Sequence, residues 1–128
     1  MPFLLLVMLG GAVGSAGRYL VGTVALRLLG PGYPWGTLAV NLIGGLLMGL
    51  LAGTLAKPAL LGAHGEPVRL LLGVGVLGGF TTFSSFSLET TTMIMRGETA
   101  TAAIYAAASV AGSVVALFVG LTLARALG

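Results

Sequence analysis

The sequence predicts an all-α membrane protein built from four transmembrane helices. Three observations carry this prediction. Hydrophobic residues make up 57% of the chain and charged residues 7%, whereas a soluble domain carries roughly a quarter charged residues. Four apolar stretches each reach the ~20 residues that a spanning helix needs. Glycine is enriched, at 22 of 128 residues. In lipid, small residues let helix backbones approach closely and so add packing.

The first span is expected over about 3–29. It lacks a charged leading region and a cleavage site, so it reads as a retained helix rather than a signal peptide. It ends at Gly30-Pro31-Gly32-Tyr33-Pro34, a strong breaker. The second span is expected over about 35–56, ending at Lys57-Pro58. The third runs over about 68–95 and the fourth over about 100–127. Ala63 to Pro67 and Arg96 to Thr99 read as polar connections. The loops leave no room for a second domain, so 1–128 reads as a single four-helix transmembrane domain.

The third span is unusual. Gly73, Gly75, Gly78 and Gly79 give way to Phe80-Thr81-Thr82-Phe83-Ser84-Ser85-Phe86-Ser87-Leu88-Glu89. A straight helix over 68–95 would reach roughly 42 Å, longer than a ~30 Å hydrocarbon core. Two half-helices broken near Gly78-Gly79 fit better. Such breaks survive only where protein or a water-filled cavity satisfies the backbone, and they tend to form ion sites.

Charge placement bears on assembly. Four spans put both ends of the chain on one side with Lys57, Arg69 and Arg125, against Arg27 and Arg96 on the other. That balance is too even to fix an orientation. Insertion in both orientations and antiparallel pairing of two copies are expected. Scattered basic residues make no nucleic-acid patch. The absence of cysteine excludes disulfides and thiolate metal sites, and one histidine, His64, cannot build a metal site alone. No nucleophile–base pair or phosphate loop is visible, so an enzyme is not expected.

Several polar residues fall into register. Asn41, Gly45, Gly49 and Gly53 form one stripe of the second helix. Asn41 there reads either as interhelical glue or as a donor to a passing ligand. Tyr105, Ser109 and Ser113 form a hydroxyl stripe on the fourth helix, beside a small-residue seam of Ala108, Gly112, Ala116 and Gly120. Serines in membrane helices also bond back to their own backbone, and both readings stay open. Thr82, Ser85, Glu89 and Thr92 share a face of the third span. An intramembrane carboxylate such as Glu89 is a functional candidate, or else pairs with an arginine, for which Arg18 is the candidate. Phe83 and Phe86 lie on an adjoining face. Their ring edges carry partial positive charge and could meet an anion without trapping it. Hydroxyls, an amide and ring edges with few charges could conduct a small anion.

The order of motifs resembles a known family. Gly10-Gly11-Ala12-Val13-Gly14 with Arg18-Tyr19, then Gly36-Thr37-Leu38-Ala39-Val40-Asn41-Leu42-Ile43-Gly44, then Gly78-Gly79-Phe80-Thr81-Thr82-Phe83-Ser84-Ser85-Phe86 resemble the Fluc/CrcB fluoride channels over nearly the whole chain. The resemblance implies a passive, fluoride-selective channel in the cell inner (plasma) membrane that exports toxic fluoride from the cytoplasm. It implies a dual-topology antiparallel homodimer with two pores, its partners being fluoride, lipid and a second copy of itself. It assigns Asn41, Phe83, Phe86, Thr82, Ser85, Tyr105, Ser109 and Ser113 to the pore. Arg18 and Glu89 become candidate vestibule or pathway charges. It also implies a structural sodium ion at the break, held by the backbone carbonyls of Gly78 and Thr81. Gly45 stands where the family often has serine, so that position loses a hydroxyl. Ser85 stands where threonine is common and keeps one.

Two other readings compete. Small multidrug transporters also have four helices, but they use a first-helix carboxylate where this chain has Arg18. A non-transporting adaptor leaves the hydroxyl and phenylalanine faces unexplained. A fluoride/proton antiporter could use Glu89 as well as a passive channel could.

Overall fold

The computed structural model describes residues 2–57 and 61–127. Four helices in it are long and apolar enough to cross a membrane: Phe3–Leu29, Trp35–Leu55, Gly62–Met95 and Thr99–Leu127. We label the first two α1 and α2. The third span divides into α3 (residues 62–80) and α4 (Ser84–Met95), and the fourth is α5 (Thr99–Leu127).

Local chemistry sets the ends. α1 stops where Gly30 takes φ 79°, a left-handed value that suits glycine. Its N–H bonds the Leu26 carbonyl at 3.0 Å. α4 ends in a turn of the Schellman type. Gly97 has φ 80°. Its N–H bonds the Ile94 carbonyl at 3.0 Å, and the Glu98 N–H bonds the Met93 carbonyl at 2.8 Å. At the opposite end of the bundle the Lys57 ammonium donates to the Ala124 carbonyl. That contact ties the foot of α2 to the last turn of α5.

The third span departs from its sequence expectation in two ways. The stretch 63–67, expected as a connection, is helical: a 3-10 turn over Gly62–His64 leads into Gly65–Val68. Pro67 is tolerated in a first turn, where its missing N–H has no partner to lose. Glu66 and Arg69, three apart, pair across that turn at 2.6 Å. The break also comes later than Gly78-Gly79. Those glycines remain in a helical turn, Gly78–Phe80, and Thr81 is the first extended residue, with ψ 159°. Upstream, Arg69–Leu77 is wound as a wide π-helix, a form that concentrates near functional sites.

Gly79, just before the break, serves helix packing instead. A Cβ on Gly79 would lie 2.7 Å from the Gly11 carbonyl, and one on Gly14 would strike the Val76 carbonyl. α1 and α3 thus meet backbone to backbone. A second glycine seam joins α2 to α5. Gly49 sits on the Leu117 carbonyl and Gly120 on the Leu46 carbonyl. Gly45 lies over Ser113, whose carbonyl a Cβ would approach to 2.8 Å, so a serine at this position would not fit here without a shift. These two seams hold the spans in two close pairs, α1 with α3 and α2 with α5, because lipid supplies little hydrophobic drive between helices. Few large side chains are fully buried; Tyr105 and Val40 are the main ones.

Candidate functional site

The break is held from across the bundle by Asn41. Its Nδ2 donates to the Thr82 carbonyl at 3.0 Å, and its Oδ1 accepts from the Thr82 N–H at 2.8 Å. This two-point clamp takes the place of the helical bonds that Thr82 gives up, as a break at membrane depth requires. Thr82 in turn starts the next helix: its Oγ1 accepts from the Ser85 N–H at 3.1 Å, the geometry of an N-terminal cap. Thr82 therefore lies ahead of α4 rather than on its helical face. Thr92 turns its hydroxyl back to the Leu88 carbonyl.

Arg18 does not reach Glu89. Its Nε donates to the Gly79 carbonyl at 3.1 Å, which the break leaves without a helical partner. Glu89 is served by two neutral donors instead. Thr37 Oγ1 bonds Oε2 at 3.0 Å and the Tyr105 hydroxyl bonds Oε1 at 2.9 Å. Hydroxyls satisfy a carboxylate without neutralising it, which frees Arg18 for the backbone.

A cavity of about 410 Å³ opens on the side of the bundle between α2, α4 and α5. Asn41, Thr82, Phe83, Phe86, Ser109 and Ser113 all line it. The Phe83 and Phe86 centroids are 5.5 Å apart with planes tilted by 45°. Phe83 is 76% exposed. Ser109 is only 6% exposed, and its Oγ meets no hydrogen-bond partner among the described residues. It does not bond back to its own helix, as Ser87 does to the Phe83 carbonyl. An unpartnered buried hydroxyl is costly, and this one belongs to a residue that lines the cavity.

Two of the eight predicted pore residues, Ser85 and Tyr105, lie outside this cavity. Ser85 shares a smaller one, about 300 Å³, with Arg18 and Thr37. Tyr105 is fully buried and stands behind Phe86, with ring centroids 5.2 Å apart. On its far side Tyr33, from the α1–α2 loop, meets it edge-on at 5.4 Å. Burial raises the Tyr33 phenol above its ordinary range. Beyond lies a third cavity of about 420 Å³, with Thr37, Glu89, Thr92, Arg96 and Glu98 in its wall. Phe86, Tyr105 and Glu89 thus form a septum between the side cavity and the end cavity.

Thr37 was missed by the sequence reading. It stands four residues before Asn41, so extending the Asn41 stripe by one turn would have found it.

A family model described as "CrcB-like protein, Camphor Resistance (CrcB)" matches residues 5–121. A Phenylobacterium zucineum (strain HLK1) protein named Fluoride-specific ion channel FluC is 59% identical over 125 residues, covering 98% of this chain and 97% of its own. A protein of the same name from Caulobacter sp. (strain K31) is 60% identical over 125 residues, covering 98% and 96%. Another, from Caulobacter vibrioides (strain NA1000 / CB15N), is 57% identical over 122 residues, covering 95% and 94%. With four spans and this kinship, the protein is a multi-pass protein of the bacterial inner membrane. The chain belongs to the CrcB-like family, a family of ion channels rather than enzymes whose members include the fluoride-specific channels named FluC.

Proposed function

We propose that this chain conducts fluoride passively out of the cytoplasm, through a pathway that runs along the side cavity. The observation that carries the reading is the cavity that Phe83, Phe86 and Ser113 share with Ser109, a residue whose buried hydroxyl has no partner among the described residues. A hydroxyl donor and two ring edges suit a small, strongly hydrated anion. They replace part of its water shell without the deep binding that a cation would give. Asn41 has one amide hydrogen left beyond its bond to Thr82 and adds to the same wall. Thr82 and Ser113 complete the cavity's polar wall, Ser85 extends the polar route into the neighbouring small cavity, and Arg18 and Glu89 are its flanking charges. Tyr105 acts by holding Glu89 and backing Phe86.

The functional unit is an antiparallel homodimer with two pores. The near-even charge count supports it. So does the side cavity itself, because its polar groups would be poorly served facing lipid, and a second copy would cover them. A structural sodium ion fits the break. Among the described residues, the carbonyls of Gly78 and Thr81 accept no bond from a side chain or from the backbone of the break, and hard cations prefer oxygen ligands. Gly78 and Thr81 from each copy would hold the ion, which would supply positive charge to tie two broken helices together.

The test is efflux from vesicles containing the purified protein, followed with a fluoride electrode. Fluoride release down its gradient is expected, with a flux that does not change as pH is varied. A flux that requires an opposing proton gradient would favour the antiporter.

A further inference from the structure

The end cavity carries charge that the conduction pathway leaves unexplained. Two carboxylates line it, Glu89 and Glu98, and one guanidinium, Arg96. An anion moving towards Glu89 is repelled unless a positive charge offsets the carboxylates. Three other basic groups are committed elsewhere. Arg18 bonds the Gly79 carbonyl, Arg69 makes two bonds to Glu66, and Lys57 caps the Ala124 carbonyl. Arg96 has only a loose partner. Its Nε is 3.9 Å from Glu98 Oε2, and its side chain is 63% exposed. A surface pair of that kind contributes at most about 1 kcal/mol, so the guanidinium stays available. The Gly97 turn pins the backbone between the two and keeps both residues beside the cavity.

We propose that Arg96 concentrates fluoride at the α1–α2 loop end of the pathway and that Glu98 restrains it. The inference rests on the fluoride reading above. Arg96 acts through its field, not by coordinating the ion within the pore. Its contribution therefore depends on ionic strength.

Flux into vesicles at two ionic strengths, adjusted with an impermeant salt, tests this. At ~0.1 M the Debye length is ~10 Å and at 1 M it is ~3 Å. Arg96→Gln is expected to lower the initial fluoride flux about threefold at the lower strength, the size of one screened charge several ångströms away. The deficit should largely vanish at the higher strength. Arg96→Lys should keep wild-type flux, and Glu98→Gln should raise flux at low salt. Arg27→Gln is the control, because Arg27 lies in the last turn of α1 at the same end but does not line the cavity. It should leave flux unchanged. An Arg96→Gln deficit equal at both strengths marks a structural role and overturns the proposal. So does wild-type flux in Arg96→Gln at low salt, or an equal deficit in Arg27→Gln. Wild-type protein that passes no fluoride at either strength overturns the fluoride reading itself, a result distinct from all of these.

Discussion

The hydroxyl of Tyr105 donates to Glu89 Oε1 at 2.9 Å from a position with no exposure to solvent. With Thr37 on the other carboxylate oxygen, it leaves Glu89 one defined orientation between two cavities. Tyr105→Phe removes one of the two donors. A hydrogen bond to a charged group contributes about 1.5–3 kcal/mol, so unfolding of the detergent-solubilised protein should shift by an amount in that range. Thr37→Val should do the same. Because both donors serve one carboxylate, the double variant should be non-additive. Additive, sub-0.5 kcal/mol effects, of the order seen for ordinary surface changes, would show that the carboxylate is not held this way.

Asn41 makes a second kind of prediction, about the break itself. Asn41→Ala leaves the Thr82 N–H and carbonyl without partners at membrane depth. A loss of about 2–4 kcal/mol is expected from two backbone groups. Amide hydrogen exchange at Thr82 should speed up, while exchange in the middle of α5 should not. Protection at Thr82 that survives the substitution would mean that another group satisfies it.

The glycine seams predict a contrast within one residue type. Gly49→Val pushes side-chain atoms into the Leu117 carbonyl, backbone against backbone. The α2–α5 pair must then separate, and little folded protein should be recovered from the membrane. Gly11→Ala and Gly22→Ala meet nothing within 4 Å and should fold normally. Recovery and thermal stability measured by size-exclusion chromatography check all three. A stable Gly49→Val would contradict the close approach.

The four spans were legible because apolar length alone decides them. The glycine stripes were legible because spacing at three and four places small residues on one face. The break was visible as a change of composition, yet its position was not. Glycines suggest flexibility, but Gly79 is there to let α1 approach, and the backbone opens at Thr81, where Asn41 can reach Thr82. Partners for charges were the least legible. Arg18 and Glu89 are natural partners on paper. The structure gives Arg18 to a carbonyl freed by the break and gives Glu89 to two hydroxyls on other helices. Such choices depend on distances between helices that no single-helix periodicity encodes. The Ser109 hydroxyl shows the reverse case. Its stripe was apparent from spacing, but only packing reveals that it lacks a partner.

The aromatic pair supplies a prediction about selectivity. Phe83→Ile and Phe86→Ile keep apolar bulk and remove the ring edges. Fluoride flux should fall by at least about tenfold in each, if each edge is worth about 1.4 kcal/mol or more at the barrier, while chemical cross-linking still detects the proposed dimer. Near-normal flux in both variants would mean that the rings only pack.

The central claim is that this chain passes fluoride and holds back larger anions. The most direct measurement is efflux from vesicles loaded with both fluoride and chloride, each followed with its own electrode. The account predicts rapid fluoride release with chloride retained. Retention of fluoride, or release of both ions together, would contradict it.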